Sequence, residues 1–416
     1  MKISVITPTH DPRHIVEAYE SLSDQTYPDW EWILVLNGDA KDDDIPDSIR
    51  EDPRVFISRD DENKGIIGAI KHDAFMKGTG EVLVEFDHDD MLVPECLEKL
   101  HFVFSNREDI GFVYSDDAHL QDGFIPFTPK VGWKHYNYDW KGKDLISMIS
   151  FPPCAQTLSS IYYAPDHVRA WKTSVYREIS GHDKTLEILD DQELLTRTYL
   201  KTKFFKIPET LYIYRVDGKN SWLNFANETI PQKTQEIYQK YAKQLAERDS
   251  ELRGLRNIQL VYNKWDDIGY ETMGKGGSIV WDFDKKRFPL EDDSVGVFFS
   301  YHTLQKHPDR IHMMREIYRV CADFSWAFLE VPSTKGPGAF SDPSHVSFWN
   351  KDSFLYYTSQ HSGAFSGTDD IKFQAWLRDE RIPPEQGGDI WCTRAWLSCV
   401  KSNNYRCGEL NYDNMR

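Results

Sequence analysis

Through the first half of the chain, short apolar runs alternate with stretches of helical periodicity. Residues 2–8 (KISVITP) form one such run. After a polar turn, IVEAYESLSDQ places Ile15, Ala18, Tyr19 and Leu22 at the spacing of one helix face. WEWILVLNG (30–38) predicts a second strand, VFIS (55–58) a short third, and IIGAIKHDAFMKG (66–78) a helix that stops at Gly78. EVLVEFD predicts the next strand and PECLEKLHFVFSN the helix after it, with Pro94 in its first turn. Strand alternating with helix implies an α/β domain with a mostly parallel, Rossmann-like sheet, and ligands of such sheets gather beyond the carboxyl ends of the strands.

From about 130 to 175 the pattern loosens and becomes rich in aromatics, Lys and Pro. A helical stretch around 187–200 follows, then the strand-like LYIYR. QKTQEIYQKYAKQLAERDSELRGLR (232–256) predicts a long helix, polar on one side, that joins two domains. Beyond it, GGSIVWDFD, DSVGVFFSY and SWAFLEVPS predict three strands, with the helix DRIHMMREIYRVC between the last two. The expected organisation is a domain over 1–225, a helical linker over 226–257 and a smaller α/β domain over 258–416. A chain of 416 residues is too long for one ordinary core, in keeping with this division.

Composition narrows the class. With 40% hydrophobic residues and no apolar run long enough to cross a bilayer, the chain reads as a soluble globular protein. MKISVITPTHDP has a single Lys and then reads as a strand rather than a secretion signal, so a cytoplasmic location is expected. The six cysteines include no C-x-x-C pair, and the spacing of Cys392, Cys399 and Cys407 matches no common metal site, so reduced structural thiols are expected. Net charge is −18 and uneven: residues 1–225 hold 25 Lys and Arg against 40 Asp and Glu, and residues 226–416 hold 24 against 27. So acidic an N-terminal half repels polyanions at long range, which argues against nonspecific nucleic-acid binding.

One stretch concentrates the chemistry. VLVEFDHDDMLVP (82–94) carries Glu85 inside an apolar run and then Asp87, Asp89 and Asp90 where a buried strand should end. Acids crowded in this way either stay solvated and cap the following helix, or are held together by a divalent cation.

The surrounding stretches choose between these. VITPTHDPRHIVEAYESLSDQTYPDWEWILVLNGD, NKGIIGAIKHDAFMKGTGEVLVEFDHDD, GHDKTLEILDDQELLTR and LYIYRVDGKNS occur in this order. Together they resemble the family 2 glycosyltransferases, which have a GT-A nucleotide-sugar-binding fold. The resemblance implies an inverting transfer of sugar from a nucleotide-diphosphate donor, expected to be a UDP-sugar, to an acceptor hydroxyl on a glycan. Under it, Asp89 with Asp87 would hold manganese or magnesium, hard cations suited to oxygen ligands, and the cation would neutralise the leaving diphosphate. Pro8 and Thr9 would line the nucleotide pocket, with Asn63, Gly65, His88, Arg169 and Trp171 also on the donor side. Asn37 stands in Leu36-Asn37-Gly38-Asp39, where the family usually has Asp-Asp-Gly-Ser. Its amide can both donate to and accept from a base edge, which keeps uridine open without fixing it.

The resemblance places the catalytic base at Asp191, where it would take the acceptor's proton. Read alone, Asp190-Asp191 marks a helix N-terminus. Asp217 stands where many relatives carry a His that completes the metal site, so it is the candidate third ligand. PKVGWKHYNYDWKGK (129–143) interleaves Lys with aromatics, so Trp133, Lys134, Tyr136 and Trp140, with Asp190, form the candidate acceptor surface; a loop packed on the sheet is the plain alternative. Two other functions stay open: glycosylation of a hydroxymethylated base in DNA, and a noncatalytic nucleotide- or carbohydrate-binding module.

The later half has its own resemblance. WDFDKKRFPLEDDSVGVFFSYHTLQKHPDRIHMMREIYRVC and GPGAFSDPSHVSFWNKDSFLYYT look like the later part of an S-adenosylmethionine-dependent methyltransferase domain. The glycine-rich turn that should precede them is missing, and Met273-Gly274 stand where an acid for the cofactor ribose belongs. The expectation is a degenerate domain that no longer binds S-adenosylmethionine or methylates.

Overall fold

A computed structural model describes residues 1–63, 65–121, 134–160, 164–216, 229–262, 268–383 and 390–401. The chain forms two compact units, residues 1–242 and 243–414. Trp133 and Asp217 lie outside the described residues.

In the first unit the strands are β1 (Ile3–Thr9), β2 (Trp30–Asn37), β3 (Val55–Asp60), β4 (Val82–Glu85), β5 (Met91–Leu92), β6 (Ile110–Gln121), β7 (His135–Trp140), β8 (Lys143–Met148), β9 (Arg169–Lys172) and β10 (Lys203–Val216). They build one sheet in the order β3-β2-β1-β4-β9-β6-β10-β5, with β8 on β6 and β7 on β8. β1, β2, β3 and β4 are parallel, as are β6 and β10. β9 runs antiparallel to both β4 and β6 and joins the two parallel groups. The parallel strands are almost wholly apolar, as a sheet covered on both faces requires; Ile3, Val5, Trp32, Leu34, Val82 and Val84 are all buried.

The helices Ile15–Ser23, Ile67–Phe75 and Cys96–Asn106 occupy the predicted places. The first turns Ile15, Ala18 and Leu22 into the core. Because β1, β2 and β4 point the same way, Thr9, Asn37 and Asp87 come to the same edge of the sheet.

Residues 135–148 are a hairpin, which the loosened sequence pattern hid. Lys141 (φ 50°) and Gly142 (φ 80°) both adopt left-handed backbone, the two-residue turn whose twist suits antiparallel strands.

The second unit holds β11 (Arg256–Leu260), β12 (Glu271–Gly274), β13 (Ile279–Val280), β14 (Val295–Tyr301), β15 (Cys321–Pro332), β16 (Phe373–Arg381) and β17 (Cys392–Cys399). Their order is β13-β12-β11-β14-β15-β17-β16. β13 to β15 are parallel through β12, β11 and β14, while β17 is antiparallel to both its neighbours. The helix Arg310–Val320 covers this sheet with Met313, Met314, Ile317 and Val320. The helix Thr229–Leu252 includes residues of both units, and β11 begins where the predicted linker helix was still running.

Candidate active site

The acids of the opening stretch have separate fates. Glu85 ends β4, beside Ile6 of β1 and Arg169 of β9 in the sheet register. Its carboxylate is buried, with Lys71 Nζ at 2.5 Å from Oε1 and Arg169 Nη1 at 3.4 Å from Oε2. Burial alone would raise its pKa, but the two cations win and hold it well below the usual carboxylate range. Asp90 is buried too. It accepts hydrogen bonds from the Tyr212 hydroxyl at 2.8 Å and the Arg215 backbone N–H at 2.7 Å. Burial, with Asp89 and Asp87 close by, pushes its pKa well up, and its two accepted hydrogen bonds make it an anchor of the turn.

Asp87 and Asp89 remain. Both are half-buried, and among the described residues no hydrogen bond or ion pair reaches either carboxylate. The residues present therefore fit a divalent cation: the protein supplies partners to the two inner acids and leaves Asp87 and Asp89 as a half-buried pair of hard oxygen donors.

Asp190 and Asp191 open the helix Asp190–Lys201. Their environments differ sharply. The Asp191 side chain is 24% exposed and accepts from Arg169 Nη1 at 2.9 Å. That of Asp190 is only 5% exposed, with His182 Nε2 at 3.5 Å and Lys71 Nζ at 4.0 Å. Burial, reinforced by Asp191 and Glu85 and opposed by Lys71, pushes Asp190 up to about 7. Burial likewise drives His182 well below its ordinary value, so it is neutral. Lys71 feels Glu85, Asp190, Asp87 and Asp191 together, which places Asp87 and the helix-start acids around one ammonium.

A glycine makes this proximity possible. The N–H of Gly68 donates to Leu186 O at 2.9 Å, and a Cβ on residue 68 would stand 2.1 Å from Asp183 O. The segment leading to Asp190 thus lies directly on the helix that carries Lys71.

On the donor side, Pro8 is half-buried and Thr9 is buried, its Oγ1 without a hydrogen-bond partner among the described residues. Asn37 is half-buried at the end of β2, and Gly38 takes a left-handed φ of 56°. His88 meets the ring of His10 edge-on, 5.2 Å between centroids. Asn63 donates to Asp60 at 2.9 Å and Asp73 at 2.7 Å, so its amide N–H groups fasten the loop in which Gly65 supplies a φ of 78°.

Three expectations need correction. Trp171 is 1% exposed, packs on Phe75, Phe112 and Tyr176 and donates to Thr198 Oγ1; it is core and presents no face to a donor. Trp140 is buried in the same core as the sheet, and Tyr136 donates to or accepts from Thr210 at 2.7 Å. Strand alternation turns His135, Asn137 and Asp139 outward and the rings inward, so of that candidate acceptor surface only Lys134 is exposed. Asp190 is too deeply buried to meet an acceptor.

Sequence reasoning missed Lys71, Glu85 and His182 as members of this cluster. Glu85 had a local signal, an acid inside an apolar run, while nothing in the local sequence distinguishes Lys71 or His182.

Residues 4–157 match the family model of glycosyl transferase family 2. Relatives include the uncharacterized protein y4gI of Sinorhizobium fredii, 24% identical over 51% of this chain and 22% of its own length. The uncharacterized glycosyltransferase alr2836 of Nostoc sp. is 27% identical over 56% of this chain and 70% of its own. The uncharacterized glycosyltransferase MJ1057 of Methanocaldococcus jannaschii is 28% identical over 27% of this chain and 40% of its own. The chain thus spans well under two thirds of the first and third of these. Among solved structures, S. aureus TarS 1–349 in complex with UDP-GlcNAc aligns with a TM-score of 0.47 at 15% identity, covering 61% of this chain and 72% of that one. The glycosyl transferase family 2 match contains Thr9, Asn37, Lys71, Glu85, Asp87 and Asp89, and ends before Arg169 and Asp191. No helix among the described residues is long and apolar enough to cross a membrane.

Proposed function

We propose that the N-terminal unit is an inverting, metal-dependent glycosyltransferase that moves a sugar from a nucleotide-diphosphate donor, a UDP-sugar, to a hydroxyl of a glycan. The observation that carries this reading is the grouping of the partner-free Asp87 with Asp191 around Lys71, with the equally partner-free Asp89 two residues further along the same turn. Manganese or magnesium held by Asp87 and Asp89 would offset charge on the departing diphosphate. Thr9 Oγ1 and the Asn37 amide would orient the nucleotide.

Asp191 accepts the acceptor's proton. It, and not Asp190, suits this role because it alone of the two has exposed carboxylate surface. Arg169 donates to Asp191 and fixes where that carboxylate points, acting as a positioning residue. The alternative of a DNA base as acceptor is weakened by the inward-facing rings of β7, which remove the described part of a stacking surface.

For the second unit we propose a methyltransferase-like fold without the activity. In its support, the strands follow the doubly wound order, apart from antiparallel β17 before the last strand. β12 ends at Met273-Gly274 without an acid. Gly274 is pressed so closely on β11 that a Cβ would stand 1.9 Å from Val261 O.

The test is a thermal-shift screen of nucleotide sugars with and without manganese, followed by assay of nucleotide release with glycan acceptors. A UDP-sugar should raise the melting temperature only with metal, because a ligand confined to the folded state stabilises it. No shift from any nucleotide sugar would sink the reading. S-adenosylmethionine should give none.

A further inference from the structure

We propose that the second unit carries a transition-metal site built from His302, Glu330 and Cys392, suited to zinc. The three residues come from separate parts of the sequence and are joined by the sheet. His302 directly follows β14, Glu330 lies near the end of β15, and Cys392 begins β17, which pairs antiparallel with β15. Since β14 and β15 are parallel, all three stand at one edge of this sheet, where α/β folds place their ligands.

One ligand atom from each lies within 4.8 Å of the other two. His302 Nε2 is 3.4 Å from Cys392 Sγ and 3.8 Å from Glu330 Oε1. Bond lengths of about 2.0–2.1 Å to nitrogen and oxygen and about 2.3 Å to sulfur, set at tetrahedral angles, demand ligand separations of about 3.3–3.6 Å. The two separations from His302 need only a few tenths of an ångström of adjustment, and the third, from the Cys392 sulfur to the Glu330 carboxylate, lies within 4.8 Å.

Second, the site is built and screened. Cys392 is buried, and the Glu330 and His302 side chains are 7% and 14% exposed. Glu330 Oε1 is buried and makes no hydrogen bond among the described residues, whereas Oε2 takes Arg381 Nη2 at 2.9 Å. An outer partner on one carboxylate oxygen with the other turned toward the neighbouring ligands is the arrangement that orients a metal-binding carboxylate. His302 is held there with a left-handed φ of 48°, a backbone conformation that a residue other than Gly adopts at a cost.

The donor set is an imidazole, a thiolate and a carboxylate. It favours zinc over magnesium or manganese, because sulfur and nitrogen are poor ligands for hard cations. On binding, the Cys392 S–H loses its proton to solvent, and thiolate and carboxylate together offset the two charges of the cation. Three protein ligands leave a fourth position open to water or a small anion. This site takes a different metal class from the pair Asp87 and Asp89, and it stands or falls independently of the proposed transferase.

Cobalt(II) is the probe, because cobalt bound to thiolate gives a charge-transfer band that oxygen ligands do not. The full chain, stripped with chelator and desalted, is titrated with cobalt and then with zinc. The expected result is one cobalt per chain with a thiolate band, displaced by zinc. Cys392→Ser should remove the band. His302→Ala and Glu330→Gln should each weaken affinity by more than about a hundredfold, since losing an outer partner alone costs about 10- to 100-fold. No thiolate band in the wild-type chain, or a band that survives Cys392→Ser, overturns the site. The wild-type titration decides even if a variant fails to fold.

Discussion

Arg169 and Asp191 meet at 2.9 Å although they belong to different elements, the strand next to β4 and the first turn of the helix Asp190–Lys201. The same guanidinium reaches Glu85 at 3.4 Å. A single buried cation therefore links the acid that closes β4 to the partly exposed acid at the start of that helix.

Asp191→Asn keeps the shape of the side chain but removes the proton acceptor. Turnover should fall about 10²- to 10⁴-fold, the usual span for general-base loss. Donor-induced thermal shift should persist, and steady-state kinetics beside a melting curve measure both. Equal turnover in the variant would remove Asp191 from the mechanism.

Asp89 and Asp90 are adjacent but should respond in opposite ways. Asp89→Asn should abolish the manganese-dependent shift with UDP-sugars while leaving the unliganded melting temperature near wild type. Asp90→Asn should leave metal dependence intact, because the Tyr212 hydroxyl and the Arg215 N–H already occupy the two oxygens of this buried acid. Asp90→Ala strands the Tyr212 hydroxyl and the Arg215 N–H, at about 1–3 kcal/mol for each unsatisfied group. Chemical unfolding and calorimetric manganese titration of the three variants test the contrast.

Asp190 supplies a pH signature. Its folded pKa, about 7, lies above its ordinary 3.8, so the folded state binds more proton than the unfolded state between those values. This group's contribution is therefore fully present below about pH 4 and lost as pH rises through about 7. Asp190→Asn removes that slope and should gain stability relative to wild type at pH 8 compared with pH 5. Urea midpoints at the two pH values give the answer; an unchanged difference would show that Asp190 titrates normally.

Trp171→Ala should destabilise the protein by about 3–5 kcal/mol, the cost of deleting a buried aromatic side chain. At a temperature where the variant stays folded, its KM for donor should match wild type. A large KM change with little loss of stability would restore the residue to the donor pocket.

The sequence made the parallel core legible because β1, β2 and β4 are continuous apolar runs and their helices carry clear periodicity. The hairpin β7–β8 escaped because its inward positions are Tyr136, Tyr138 and Trp140, interleaved with polar residues that suggested a binding surface. β11 was absorbed into a helix, since Arg256 and Asn257 follow a charged helical stretch without a strong break. β9 is only four residues long and runs straight into a helix.

At the site, Asp87, Asp89 and Asp191 could be picked out by their order along the chain. Their partners could not. Lys71 lies 14 residues from Glu85, and Arg169 lies 22 from Asp191, so only the folded sheet brings each pair together. The three residues of the proposed zinc site are farther apart still, and Cys392 alone gave no hint of company.

The helix Thr229–Leu252 has a practical consequence for dissecting the protein. Severing the chain after residue 242 would divide this helix between fragments and leave carbonyls of its middle turns without their N–H partners. Buried Tyr238, Tyr241 and Ala242 would stay with one piece, Leu245 and Ala246 with the other. A shortened N-terminal piece meant for soluble expression should therefore run to Leu252, where the helix ends of its own accord.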